Sequence, residues 1–339
     1  MGKFEKIYVF APYGNATGGV ELAHQLVDYL RNNGENAFIV YVRSGLHIVY
    51  DCNSITPQYS KYNISVTSEV EDSELNILIL PEVYFEFVLK YKKIRIGCWW
   101  MSVDNRYTHV SFPEFFMHIK SKGRKVKVFL SHFLLGRYWR LKNSTKSLKK
   151  NSYRIIHLYQ SYYAYNHIKE LGLTNAMPLS DYINIETISQ NHVEKDNIIL
   201  YNPVKGFAFT KKIIERMGGY NFVALQGFSR EELSEVMAKA KLYIDFGEFP
   251  GKDRLPRETV MNGCCVVTGK NGASGFYEDV PIKNEYKFDI NEANIDKIIK
   301  KIKYILENYE SCNRDFDHYR DIVKNEKKEF YHEIDAIFF

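Results

Sequence analysis

Residues 247–275 read GEFPGKDRLPRETVMNGCCVVTGKNGASG, and this stretch decides the fold. It begins where the apolar run KLYIDF (241–246) stops and turns through Pro250-Gly251. It opens a helix near Pro256, breaks at Gly263 and re-enters an apolar strand at CCVVT. Strand, loop, short helix and strand make a βαβ unit whose loop lies at the carboxyl end of the first strand, where open α/β sheets bind ligands. Proline at the first helical position is harmless, because the amide it lacks would be unpaired there anyway. Asp253, Arg254, Arg257 and Glu258 crowd the loop and the expected first turn. The two carboxylate oxygens of Glu258 can hold a pair of vicinal hydroxyls, so the stretch is read as the nucleotide end of a sugar-nucleotide site.

Moving outward, NIILYNP, a helix over about 205–217, YNFVALQG and a helix carrying Leu233, Val236, Met237 and Ala240 lead into KLYIDF. EYKFDI and a helix with Ile295, Ile298, Ile299 and Ile302 follow it. Residues 178–196 lose periodicity and read as a linker. Ahead of them, FEKIYVFA, a Gly18-Gly19 turn, a helix with Ala23, Leu26, Val27 and Leu30 on one face, Gly34 and NAFIVYV open a Rossmann-like half. Further strands are expected at 75–80, 94–100 and 154–159, while 126–130 fits strand or helix. The expected organisation is an N-terminal domain over 1–182 and a C-terminal domain over 183–314. A helical tail over about 315–339, with Phe330, Ile334 and Phe338, packs back on the body.

A length of 339 residues accommodates two such domains. No run of 18 apolar residues occurs, and the start lacks a signal-peptide pattern, so a cytoplasmic protein is expected. Five cysteines without C-x-x-C spacing point away from zinc or a disulfide framework. The net charge of +5 hides an asymmetry: residues 118–154 carry twelve Lys and Arg and no acid, leaving −7 for the rest. With Phe129, Phe133, Tyr138 and Trp139 interleaved, that segment fits an anionic membrane surface or a polyprenyl-phosphate acceptor; the plain alternative is a solvated basic helix. Nucleic acid fits the charge, but no binding motif accompanies it.

Several positions could carry chemistry. Gly18 and Gly19 let the backbone approach a diphosphate at a helix N-terminus; the alternative is a turn that needs positive φ. Asn202-Pro203-Val204-Lys205-Gly206 ends a strand, where the Lys205 ammonium could neutralise phosphate or simply be solvated. Trp99, Trp100 and Asp104 close the strand at 94–100, a carboxylate beside exposed indoles that would suit an acceptor sugar, or an Asp that caps a helix. Asp315-x-Asp317 has the form of a magnesium site but lies in a lysine-rich helical tail, so it is read as a solvated face.

These residues resemble the retaining GT-B glycosyltransferases of family 4 and their relatives in capsule and O-antigen synthesis. The resemblance implies an α/β fold of two Rossmann-like parallel-sheet domains facing across a cleft. It implies donor-diphosphate contact at Gly18-Gly19, phosphate contact at Lys205 of NPVKG, and ribose contact at Glu258 of LPRETVMNGCCVVTGKNGASG. Where the family carries a first glutamate this chain has Pro250, with Glu248 and Asp253 nearby as substitutes. Where an arginine often precedes the lysine it has Ile199, with Arg254 as the replacement. The expectation is transfer of a sugar from a nucleotide-sugar to a glycan or lipid-linked acceptor, with retention, and without a metal or other cofactor. The expected site joins Gly18, Gly19, Asn202, Lys205, Asp253, Arg254 and Glu258 at the donor, Trp99 and Trp100 at the acceptor, and Asp104 or Glu248 at the chemistry. A nucleotide-sugar 2-epimerase and a non-catalytic module for anionic surfaces are the alternatives.

Overall fold

The computed structural model describes residues 3–15, 17–43, 47–49, 59–107, 144–185 and 193–339. The chain divides into two compact units. The N-terminal unit comprises 1–160, 164–181 and 329–339, and the C-terminal unit 161–163 and 182–328.

The N-terminal unit is built on a seven-stranded sheet in the order β3-β2-β1-β4-β5-β6-β7. Its strands are β1 Ile7–Pro12, β2 Ala37–Arg43, β3 His47–Ile48, β4 Ile77–Pro81, β5 Arg95–Trp100, β6 Ile155–Tyr159 and β7 Ala176–Pro178. Only β3 runs antiparallel, paired to β2 at the edge. Runs such as IYVFA and ILIL are apolar at consecutive positions because both faces of a parallel sheet are covered, and β1 and β4 are buried along almost their whole length. The helix Gly18–Asn32 packs Ala23, Leu26, Val27 and Leu30 inward. It closes before Gly34, whose φ of +87° suits the residue after a helix end.

The C-terminal unit carries a wholly parallel five-stranded sheet, β12-β11-β10-β8-β9. Here β8 is Asp196–Tyr201, β9 Asn221–Ala224, β10 Ala240–Asp245, β11 Cys265–Gly269 and β12 Lys287–Phe288. The expected strand EYKFDI is reduced to the two residues of β12, because Asn284–Tyr286 forms a 3-10 turn. The helix Ile295–Glu307 buries Ile295, Ile298, Ile302 and Ile305 on one side.

The tail changes unit later than expected. Residues 315–328 belong to the C-terminal unit, since Phe316, Tyr319 and Val323 are buried in its core. From Glu329 onward the helix Asp317–Phe338 belongs to the N-terminal unit. There Phe338 meets Phe4 edge-on, Lys3 donates its amide to the Phe338 carbonyl, and Glu333 accepts from the Ser180 amide and hydroxyl.

Residues 108–143, which include 118–143 of the basic segment and the stretch 126–130, lie outside the described residues. Of the remainder, Thr145–Lys150 is a helix capped by Ser144. Arg154 is not a surface cation: it is buried and donates to the carbonyls of Val88, Tyr91 and Ile94. Among the described residues no helix is long and apolar enough to cross a membrane.

Candidate functional site

Strand order locates the site in the C-terminal unit. The chain places β9 on one side of β8 and every later strand on the other, so the switch of direction lies between β8 and β10. A crevice opens outside the carboxyl ends of two such strands. The loops that follow them, 202–206 and 246–253, carry most of the residues singled out from the sequence.

Asn202 follows β8 and turns the chain. Its Oδ1 accepts the amides of Val204 at 2.9 Å and Lys205 at 3.2 Å. Gly206 then adopts φ +65° and starts the helix Phe207–Arg216. A Cβ there would stand 2.3 Å from the Phe246 carbonyl oxygen, and one at Gly247 would stand 2.4 Å from Lys205 Cβ. The two loops therefore touch backbone to backbone, which only glycine allows.

That contact brings Lys205 to the loop after β10, where its Nζ lies 2.7 Å from Asp253 Oδ2. Asp253 precedes the helix Arg254–Met261, but its side chain makes no cap bond. Pro256 is thus the third helical residue rather than the first. It fits because none of the first four amides of a helix has a partner within it. Glu258 consequently sits one turn beyond Arg254, not in the first turn, and its Oε1 accepts from Arg254 Nε at 3.2 Å. Glu248 accepts from Asn271 Nδ2 at 3.3 Å, and Phe249 bridges to Gly272, so the loop after β10 is pinned to the loop after β11.

Beneath this surface lies a buried polar layer. Arg257 is fully buried and donates to the carbonyls of Lys252 and Asp253 and to Glu326 Oε2 at 3.0 Å. Lys252 Nζ reaches the other oxygen of Glu326 at 2.8 Å. Asp245, at the end of β10, accepts from Tyr243 Oη at 2.7 Å, the Gly247 amide at 2.8 Å and Asn202 Nδ2 at 3.4 Å. Burial raises its carboxyl above the ordinary aspartate range, opposed by the Tyr243 hydrogen bond. Asp245, Tyr243 and Glu326 were missed in the sequence. The available signal was a tyrosine and an aspartate two apart in an otherwise apolar strand, hence on one face.

The remaining candidates belong to the N-terminal unit. Gly18 and Gly19 open the first helix after Thr17, whose side chain makes no cap bond. Neither has positive φ; Gly14 does, at +70°. Asp104 lies in the short helix Val103–Arg106 after β5. Trp99 and Trp100 are not exposed indoles. Both are fully buried, because a strand inside a covered sheet hides both its faces. Trp99 Nε1 donates to the Leu179 carbonyl and Trp100 Nε1 to His157 Nδ1, so both belong to the core and the acceptor contact expected of them falls. At the end of β4, Glu82 is buried and accepts the Met101 amide at 3.2 Å; desolvation pushes its carboxyl up to about 7.

No protein-family model matches the chain. An alpha-1,6-glucosyltransferase of Actinobacillus pleuropneumoniae serotype 7 (strain AP76) is 28% identical over 89 residues, 26% of this chain and 27% of that relative. The match thus spans about a quarter of the relative's length. Among solved structures, Anabaena HepE in complex with UDP-glucose superposes with a TM-score of 0.61 over 98% of both chains at 10% identity. Sucrose-phosphate synthase from Thermosynechococcus elongatus does so with a TM-score of 0.64 over 98% of both chains at 9% identity. The architecture of these neighbours is GT-B, and the chain has that fold.

Proposed function

We propose that this GT-B chain transfers a sugar from a nucleotide-sugar donor to a glycan or polyprenyl-linked acceptor in the synthesis of a bacterial surface polysaccharide. The observation that carries the reading is the convergence of Lys205, Asp253, Arg254 and Glu258 at the β8/β10 switch point, built from two loops in glycine-to-backbone contact. A cation beside a carboxylate matches the two ends of a nucleotide, phosphate and ribose.

In this reading the leaving group is a nucleoside diphosphate. The Lys205 ammonium and the Arg254 guanidinium meet its developing charge, and fixed groups of this kind need no reorganisation as the bond breaks. Glu258 takes the ribose hydroxyls through charge-assisted hydrogen bonds, with Asn202 and Asp253 shaping the pocket around Lys205. The amides of Gly18 and Gly19, at the start of a helix in the N-terminal unit, are proposed as an anion contact on the resemblance. Glu248 stands in for the carboxylate that the resembled family carries at the position of Pro250, and Asp104 is proposed on the acceptor side. Retention of configuration, a step without metal or cofactor, and attachment to the inner face of the membrane through the basic segment complete the proposal, on the resemblance and the charge pattern. The two comparisons that involve glucosyl transfer or UDP-glucose support a sugar-nucleotide donor and make UDP the first probe.

Thermal-shift measurement against UDP-, GDP-, CMP- and dTDP-sugars, with and without Mg²⁺, tests the reading, because a ligand bound only by the native state raises apparent stability. Stabilisation by one nucleotide class supports it, and no response to any of them overturns it. Consumption of the donor to a new nucleotide-sugar without acceptor would instead favour the 2-epimerase.

A further inference from the structure

The buried layer under Lys205 has a polarity that nothing in the binding reading requires. The Asn202 side chain has two ends, a carbonyl that accepts and an amide that donates, and the fold uses both. Oδ1 accepts the Val204 and Lys205 amides, and Nδ2 points at Asp245 Oδ2. Asp245 is 1% exposed and ends an apolar strand, a costly place for a carboxylate unless its acceptors are needed. All its neighbours in this layer are donors: the Tyr243 hydroxyl, the Gly247 amide and Asn202 Nδ2. An acceptor-only group at position 245 therefore decides which way the Asn202 amide faces. With the carbonyl end turned toward the chain, the turn that projects Lys205 closes.

We infer that Asp245 is a positioning residue for Lys205, acting through the orientation of the Asn202 amide. This rests on the reading of Lys205 as a phosphate contact. Asp245 itself is buried beneath the loop and touches no ligand in this account. The same carboxylate fixes the Gly247 amide, so one group sets both loops that meet at Gly206 and Gly247. An asparagine at 245 would present a donor to the Asn202 amide. One of the two side chains would then have to turn over, and if Asn202 does so the Val204 and Lys205 amides lose their acceptor. Exchanging the two residues restores the pattern: an aspartate at 202 accepts from both the turn and an asparagine at 245.

The test compares wild type, Asp245→Asn and the double variant Asn202→Asp/Asp245→Asn. Hydrogen exchange across residues 202–206 reads the turn without any ligand, and calorimetry with UDP reads Lys205. Asp245→Asn is expected to exchange faster at these amides and to bind UDP about tenfold more weakly, the effect of one charge-assisted contact misplaced. The double variant is expected to recover exchange at 202–206 to within about threefold of wild type, because the turn regains its acceptor; UDP affinity is not read in it, since it places a carboxylate beside Lys205. Melting curves establish that each variant is folded, and Tyr243→Phe, which removes one donor but leaves the Asn202 contact, should leave exchange at 202–206 unchanged. Unchanged exchange in Asp245→Asn overturns the inference, as does exchange at 202–206 that stays fast in the double variant. Wild-type protein that binds no nucleotide while Asp245→Asn still loosens the turn would sink the donor-site reading instead.

Discussion

The Lys205 ammonium and the Asp253 carboxylate, 48 residues apart in sequence, lie 2.7 Å from each other, joining the loop after β8 to the start of the helix after β10. Both side chains remain partly exposed, at 37% and 20%. The pair is therefore worth about 0–1 kcal/mol to stability. Its value is that it holds a flexible lysine in one place. Lys205→Met should leave the melting temperature within about 2 °C while weakening UDP binding by about 10–100-fold, the range for one lost contact to a charged phosphate. Calorimetry and circular dichroism check the two halves, and undiminished UDP affinity would remove Lys205 from the site.

Glu258 makes a separate prediction. Its i,i+4 pair with Arg254 is partly exposed, at 23% and 33%, and joins residues of one helix, where such a pair contributes little to the fold. Glu258→Ala should weaken UDP by about 10–100-fold through lost ribose contacts of roughly 1.5–3 kcal/mol. The loss should be much smaller for inorganic pyrophosphate, which has no ribose. Equal losses for both ligands would assign Glu258 to the phosphates.

Glu326 behaves oppositely, as a structural group. Arg257 and Glu326 are both buried, so Glu326→Ala removes the carboxylate that Arg257 and Lys252 share. A loss of about 3–5 kcal/mol is expected in urea unfolding, the cost of breaking a buried pair by one partner. A midpoint close to wild type would show that water reaches Arg257.

Glu82 sets a pH dependence. Its carboxyl titrates at about 7 in the native state against an ordinary 4.5, because burial disfavours the charge. The native state thus holds a proton that the unfolded chain releases between these values, and stability from this group falls as pH rises from about 4.5 to about 7. Glu82→Gln keeps an acceptor for the Met101 amide and removes the titration. The variant's stability relative to wild type should climb across that window by about 3 kcal/mol, at 1.36 kcal/mol per pH unit of displacement. His157 works in the other direction: burial lowers it to about 4, so its contribution rises with pH between about 4 and 6.5. The difference between variant and wild type isolates Glu82, and a flat difference would place its carboxylate in contact with water.

What could be read from the chain, and what could not, follows from range. Apolar runs separated by glycines fixed the strands at 7–12, 77–81 and 240–245 to within a few residues, because burial on both faces leaves a local signature. Lys205 could be singled out because it stands just after β8, and Glu258 because it lies on the helix that follows β10. The partners were not. Nothing near Asp253 in sequence points to Lys205, and nothing in VKNEKKEF marks Glu326 as the buried acceptor of Arg257. Trp99 and Trp100 misled for a related reason: a polar indole nitrogen at a strand end looks surface-bound until the carbonyl of Leu179 and the ring of His157 are seen to satisfy it.

The helix Asp317–Phe338 has a consequence for biosynthesis. Its last ten residues bury Phe330, Ile334, Ile337 and Phe338 in the unit whose first strand begins at Ile7. Residues 182–328 leave the ribosome before 329–339, so the unit made first is sealed after the unit that follows it. Any attempt to produce residues 1–181 by themselves would leave Phe4 without Phe338 and Ser180 without Glu333.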